Sequence, residues 1–457
     1  MISLRTITIC ISAAIGVFAQ QNVVKRVPIV PVGDHHTHIL SINAAELGSR
    51  PIPRAVELPE DVAKLLRDKE RLSKERTVAA MKDLYTEDAV VQDDRGPYWL
   101  QGEGAVKYVA ESTVINRLLP TAFQANGTSG YVAGIEVTDV NGKINPLSNF
   151  LYVIRKGTDG KWRVAVETFT STGWPVAKSI TPEELIAGLD AAGIEHASVL
   201  SIAYWYGSAF RDAPVENEYA RVRAENDWVA EQTSKYPDRL SAYFSFNPLK
   251  DYAVEELERC ARNPVFKGIK LHLGNAKVNV LNPDHIAKLR AVFAAANKNR
   301  LPIVVHLWTS DRIYGAPHSK AFLEQVLPSA PDIPIQIAHM AASGPGYHSD
   351  DAMEVFANAA AAGDARLKNV YFDVASMVIA NTPPATLGLV TKRLRQVGMK
   401  KVLFGSDWVP GRSSNESPQQ AWASFRRLPL TDAEFKIVAS NAFPERSTRC
   451  SGVRPGC

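Results

Sequence analysis

The chain has 457 residues, 46% hydrophobic and 22% charged, with a formal net charge of +4. That length supplies a large buried core and more than one domain. The near balance of charge, with no basic run, excludes a nucleic-acid footprint or an acidic-membrane partner and leaves a small molecule as the expected partner.

The first element is an apolar stretch from Thr6 to Ala19 behind Arg5, ending in Val17-Phe18-Ala19. It is too short to span a bilayer and carries the residues of a cleavage site, so 1–19 reads as an export signal. The expected location is periplasmic or secreted, with no membrane anchor once the signal is removed. Cys10 lies inside this segment; Cys450 and Cys457 are spaced to close a short disulfide loop, and Cys260 falls in a helical pattern as a buried thiol. Next comes a strand over 28–38 that runs into "GDHHTHIL" at 33–40. In an extended chain residues i and i+2 share a face, so His36 and His38 project two imidazoles side by side.

Residues 62–172 follow a different rhythm: a charged helix over 62–85, then strands over 88–92, 130–137, 149–156 and 162–169. Asn141-Gly142 and Asp159-Gly160 are hairpin signals between them. One helix with an antiparallel sheet is an α+β unit, and its open sheet is a surface on which subunits of a homo-oligomer can pair. From about residue 176 a helix and a short β-branched strand alternate. The first helix starts at Thr181-Pro182-Glu183-Glu184, a cap followed by Pro and acids. Strands are expected at 197–202, 240–246, 267–273, 302–307, 334–339, 370–374 and 401–404, with helices such as 284–297 and 351–362 between them. With 28–38 that makes eight strands, the count of a closed (β/α)8 TIM barrel; an open doubly wound sheet would need a Gly-rich phosphate turn, and none is found. The expected domains are 28–61 for the first strand and lead-in, 62–172 for the insert, 173–445 for the rest of the barrel and 446–457 for a tail.

In such a barrel the chemistry gathers at the C-terminal ends of the strands. Those ends carry His36 and His38, Lys270 and His272 in "GIKLHLG", His306 in "PIVVHLW", His339 in "IQIAHMAASG" and Asp407 in "VLFGSDWVPG". Any one of these reads equally well as a buried histidine or a capping aspartate, but together they point to a metal site. The loops at the mouth add Tyr204, Trp205, Tyr206, Arg211, Trp308, Arg312, Tyr314, Trp408 and Arg412. Aromatics bury apolar ligand surface and Arg pairs with carboxylates, though such residues also pack loops.

"GDHHTH", "FKGIKLHLG", "IAHMAASG", "VLFGSDW" and "ASNAFPE" resemble the amidohydrolase superfamily, and within it the amidohydrolase-related (amidohydrolase 2) family, over roughly 28–40 and 176–445. The insert resembles the NTF2-like (SnoaL-like) fold through "DLYTEDAVV", "QGEGAVKYV" and "DGKWRVAVETF". The first resemblance implies that His36, His38, His306 and Asp407 bind one divalent metal ion, expected to be Zn²⁺, with His339 and Asp407 catalytic. Such an ion brings the pKa of a water it binds to about 7. His35 falls outside the ligand pattern, and Asp34 either holds a ligand histidine from behind or caps the strand end. Lys270 and His272 are left to a substrate or a second metal, and Trp308, Arg312, Trp408 and Arg211 to a substrate. The expected activity is metal-dependent hydrolysis of a C–N or C–O bond in a small cyclic or aryl carbonyl compound. The alternatives are a non-hydrolytic decarboxylase on the same site, and a ligand-binding protein with a vestigial one.

Overall fold

The computed structural model describes residues 28–48, 54–75, 77–93, 98–112, 115–140, 143–171, 178–210, 214–309, 314–410 and 416–446. The export signal, Cys10, Cys450, Cys457, Arg211, Arg312 and Arg412 lie outside the described residues.

Strand β1 (Gly33–Thr37) begins the barrel. The insert contributes β2 (Tyr85–Asp93), β3 (Tyr98–Gln101), β4 (Arg117–Asn126), β5 (Ser129–Val140), β6 (Lys143–Lys156) and β7 (Trp162–Ser171). The barrel resumes with β8 (His196–Leu200), β9 (Leu240–Ser245), β10 (Phe266–His272), β11 (Ile303–His306), β12 (Ile335–Ile337), β13 (Val370–Asp373) and β14 (Val402–Leu403). The barrel strands lie in the order β1-β8-β9-β10-β11-β12-β13-β14, each parallel to the next. The chain beyond β14 closes the ring: His35 N donates to Phe404 O (2.9 Å), Asp407 N to His36 O (2.7 Å) and His38 N to Trp408 O (3.2 Å). This is the (β/α)8 barrel that the alternating pattern predicts, with every expected strand found within a few residues of its place. Strands covered on both faces read as continuous apolar runs, and β9 and β11 are buried throughout. The helix Pro182–Ala192 forms where its cap is read: Thr181 Oγ1 accepts from Glu184 N, and the Glu184 carboxylate accepts from Thr181 N. It stops at Gly193, whose φ of 71° suits a residue without Cβ.

The insert leaves and rejoins the barrel at one point. Leu40 N donates to Ile180 O (3.1 Å) and Ile180 N to Leu40 O (2.8 Å), so its two ends are tied together. Its six strands form a separate sheet, in the order β3-β2-β7-β6-β5-β4, with its own core. Val62, Leu65, Leu66 and Leu72 of the helix Glu60–Glu75 form a stripe at helical spacing that packs on that sheet. The expected helix over 62–85 is in fact two: Thr77 takes an extended conformation (φ −92°, ψ 96°), and the short helix Val78–Lys82 follows before β2 begins. Strands β3 and β4 went unread because β3 spans four residues and Pro120 breaks β4 at a register shift. At the centre of the insert, Lys69 and Glu167 are fully buried with Nζ–Oε2 at 2.7 Å, and Tyr85 OH joins the same carboxylate.

Candidate metal centre

The C-terminal strand ends open into a cavity of about 260 Å³, lined by His36, His38, Lys270, His272, His306, His339 and Asp407 together with Tyr204, Trp205, Asn275 and Ser343. Leu40, Ile202 and Val409 supply its apolar wall. The seven chemistry-bearing residues expected at the strand ends all meet here. Among the described residues, none of those lining it comes from the insert.

His36 at the end of β1 and His38 just beyond it lie side by side, their ring centroids 5.4 Å apart, and the closing loop brings Asp407 to them. Asp407 Oδ1 lies 3.4 Å from His36 Nε2 and 3.3 Å from His38 Nε2. Donor atoms about 2.1 Å from one tetrahedral ion stand roughly 3.4 Å apart, which is the spacing found. His38 Nδ1 donates to Leu200 O (2.7 Å), which leaves its Nε2 lone pair toward Asp407. His306 Nε2 is buried with no hydrogen-bond partner. A buried ring nitrogen in that condition is costly unless something coordinates it. The close trio of His36, His38 and Asp407 fits one cation, and the orphaned His306 nitrogen lines the same cavity. Burial alone would raise the Asp407 carboxyl, but His36, His38 and His339 around it outweigh that and hold it well below the usual carboxylate range. Burial pushes His36 down to about 4, and His272 and His306 well below the ordinary histidine value, so these rings are neutral at pH 7.

His339 stands beside this set, its ring centroid 4.8 Å from that of His36 and 4.9 Å from that of His306. Its Nδ1 donates to Ala375 O at 2.7 Å, which leaves Nε2 as the working nitrogen. The backbone here is strained: His339, Met340 and Ala341 have φ of 53°, 48° and 63°, and Asp407 has 59°. Left-handed residues other than Gly each cost of order 1–3 kcal/mol and cluster at functional sites. Gly405 shows how tightly the strand ends meet, since a Cβ there would fall 2.9 Å from His36 Cβ.

Lys270 is 1% exposed, and its Nζ approaches His36 Nε2 to 3.0 Å. Burial lowers it to about 8, against the raising effect of Asp407 and Asp373. His272 stacks on His306 with centroids 3.9 Å apart. Its Nδ1 accepts from Asn275 N (3.2 Å), so its neutral ring carries the proton on Nε2, a donor rather than a ligand.

Two mouth aromatics take other places. Trp408 fills the space over Gly188, where a Cβ would stand 2.1 Å from its ring, and Trp308 meets His306 edge-on at 6.3 Å; neither lines the cavity. Tyr206 and Tyr314 are buried, the latter donating to Ala341 O at 2.7 Å. Asp34 does not hold a ligand ring: its Oδ1 accepts from the backbone N–H of His36 (3.2 Å) and Ser406 (2.9 Å), and burial raises it to about 7. The ring of His36 is held by Asp373, whose Oδ2 lies 3.1 Å from Nδ1. His35 turns away, its Nε2 3.3 Å from Asn441 O, as expected for a non-ligand.

A closed barrel with histidines and an aspartate converging at its strand ends defines a metal-centre type of (β/α)8 protein. The amidohydrolase family model matches residues 197–442, and the chain belongs to that family. Among solved structures, 2,6-dihydroxybenzoate decarboxylase from Rhizobium is 19% identical, covering 56% of this chain and 84% of its own, with a TM-score of 0.39. The 5-carboxyvanillate decarboxylase of Sphingomonas paucimobilis is 16% identical, covering 56% and 79%, at 0.38. An NTF2-like protein with a cystatin-like fold from Novosphingobium aromaticivorans is 16% identical, covering 26% and 84%, at 0.21. The comparison with curated proteins gives no match.

Proposed function

We propose that the barrel is a metal-dependent carboxy-lyase, releasing CO₂ from a small carboxylated substrate without consuming water. The observation that carries this reading is Lys270, a buried ammonium lining a cavity of about 260 Å³, whose neighbouring carboxylates Asp407 and Asp373 are engaged by the histidines around them. A substrate carboxylate entering the cavity adds an anion that this ammonium can pair with directly. A neutral amide or lactone does not. When bound, the divalent cation supplies Lewis-acid polarisation of a substrate oxygen and fixes the substrate in the cavity.

The protein groups then have definable tasks. Lys270 and the Nε2–H of His272 hold the anionic end, and Tyr204 and Trp205 give apolar surface for the rest. On decarboxylation the C–C bond breaks with its electron pair left on the substrate carbon, which takes a proton. His339 delivers that proton from Nε2 in its imidazolium form and recovers it from water after CO₂ leaves; Nδ1 stays on Ala375 O in both forms.

Hydrolysis is the second reading, and His339 is what favours it. In the neutral ring, with Nδ1–H on Ala375 O, Nε2 carries the lone pair that takes a proton from an attacking water. The two readings part on product. Turnover in ¹⁸O-labelled water with CO₂ released and no label in the organic product supports the lyase; label in the product with no CO₂ overturns it in favour of the hydrolase.

A further inference from the structure

We infer that Asp373, at the end of β13, is a positioning residue that fixes the tautomer of His36 and anchors the backbone of His339. The inference rests on the metal reading of the site. Asp373 is fully buried and four donors converge on it. Its Oδ2 accepts from His36 Nδ1 at 3.1 Å and from Gln336 Nε2 at 2.6 Å. Its Oδ1 accepts from the backbone N–H of His339 at 2.8 Å and of Ala375 at 3.1 Å. An ionised carboxylate only accepts, so His36 must carry its proton on Nδ1 and present a lone pair at Nε2. The other neighbour of that ring agrees: the Lys270 ammonium 3.0 Å from Nε2 is a donor, so Nε2 carries the lone pair, the one a bound cation would take. One carboxylate thus sets a metal-facing nitrogen on one side and the strained backbone of the proton-handling His339 on the other.

The two roles separate on Asp373→Asn, which keeps the shape and changes one oxygen to NH₂. The backbone N–H groups of His339 and Ala375 cannot reverse, so the amide oxygen must face them and the NH₂ must face His36 and Gln336. Gln336 is pinned by its donation to His35 O at 3.1 Å. His36 then accepts at Nδ1, its proton moves to Nε2, and the nitrogen meant for the metal becomes a donor. The loss of metal affinity is about 10- to 100-fold, the scale for removing such a partner of a ligating histidine. Asp373→Ala frees both His36 and the backbone of His339.

The test measures Zn²⁺ affinity of the metal-free full-length protein by competition with a chromophoric chelator, for wild type, D373N and Q336M. The expected result is D373N weakened by about 10- to 100-fold and Q336M within about threefold of wild type, since Gln336→Met leaves the Asp373–His36 bond in place. Should D373N not fold, ¹⁵N NMR of the wild-type imidazoles decides: a proton on His36 Nδ1 is expected, and one on Nε2 overturns the assignment. D373N with wild-type affinity also overturns it. Wild type that binds no divalent ion overturns the metal reading instead, so the two failures are distinct.

Discussion

Replacing Lys270 by methionine keeps an unbranched chain of similar length and removes one buried ammonium. A carboxylate about 4 Å from that charge gains about 4 kcal/mol at an effective dielectric near 20. Part of this is offset by the desolvation that already draws Lys270 down to about 8. Truncating one partner of a buried charge pair costs about 2–5 kcal/mol, so about 3 kcal/mol, or on the order of 10²-fold in kcat/KM, is the expected loss. The pH dependence adds a second signature. Lys270 loses its proton as pH rises through about 8, so wild-type KM climbs above that point while K270M stays flat. Stability moves the other way. Between about 8 and the ordinary lysine value of 10.5 the unfolded chain binds the extra proton, so this group's contribution to stability rises with pH across that window as substrate binding falls. Steady-state CO₂ release at pH 6 to 10 reads the kinetic part. K270M within about threefold of wild type, or with the same alkaline fall, refutes the role given to Lys270.

His339→Asn keeps the bound metal while kcat falls on the order of 10²-fold or more; metal lost in step with activity makes His339 a ligand instead. Gly188→Ala places a Cβ 2.1 Å from the Trp408 ring, an overpacking that costs about 1–3 kcal/mol and shows as a lower Tm with metal content unchanged. Lys69→Met leaves the Glu167 carboxylate buried beside Tyr85 alone, so the insert loses about 3–5 kcal/mol in urea unfolding while the barrel keeps its metal affinity. An unfolding curve that does not move refutes the part given to that ion pair.

The strand-end residues were legible because each sits in a short apolar run that ends in a polar side chain, and the alternation of strands with helices says those ends face one way. His36, His38, His306, His339 and Asp407 could be placed together on that rule alone. Asp373 could not: "VYFDV" offers one aspartate at a strand end like many others, and its partner His36 is 337 residues away. Asp34, two residues before His36, was the nearer candidate, yet it faces backbone N–H groups. Trp408 next to Asp407 was read toward the mouth, whereas Gly188 on the neighbouring helix gives its ring a place to pack. In the insert, residue types favour a long helix through Thr77, but the start of β2 at Tyr85 and the extended Thr77 divide it.

Metal stoichiometry of the purified wild-type protein, beside a His36→Ala, His38→Ala double variant, tests the central claim most directly. One equivalent of a divalent ion in wild type, Zn²⁺ and Mn²⁺ both being measured, and a near-total loss in the double variant are the predicted results. Full occupancy in the double variant, or none in wild type, contradicts a centre built on His36 and His38.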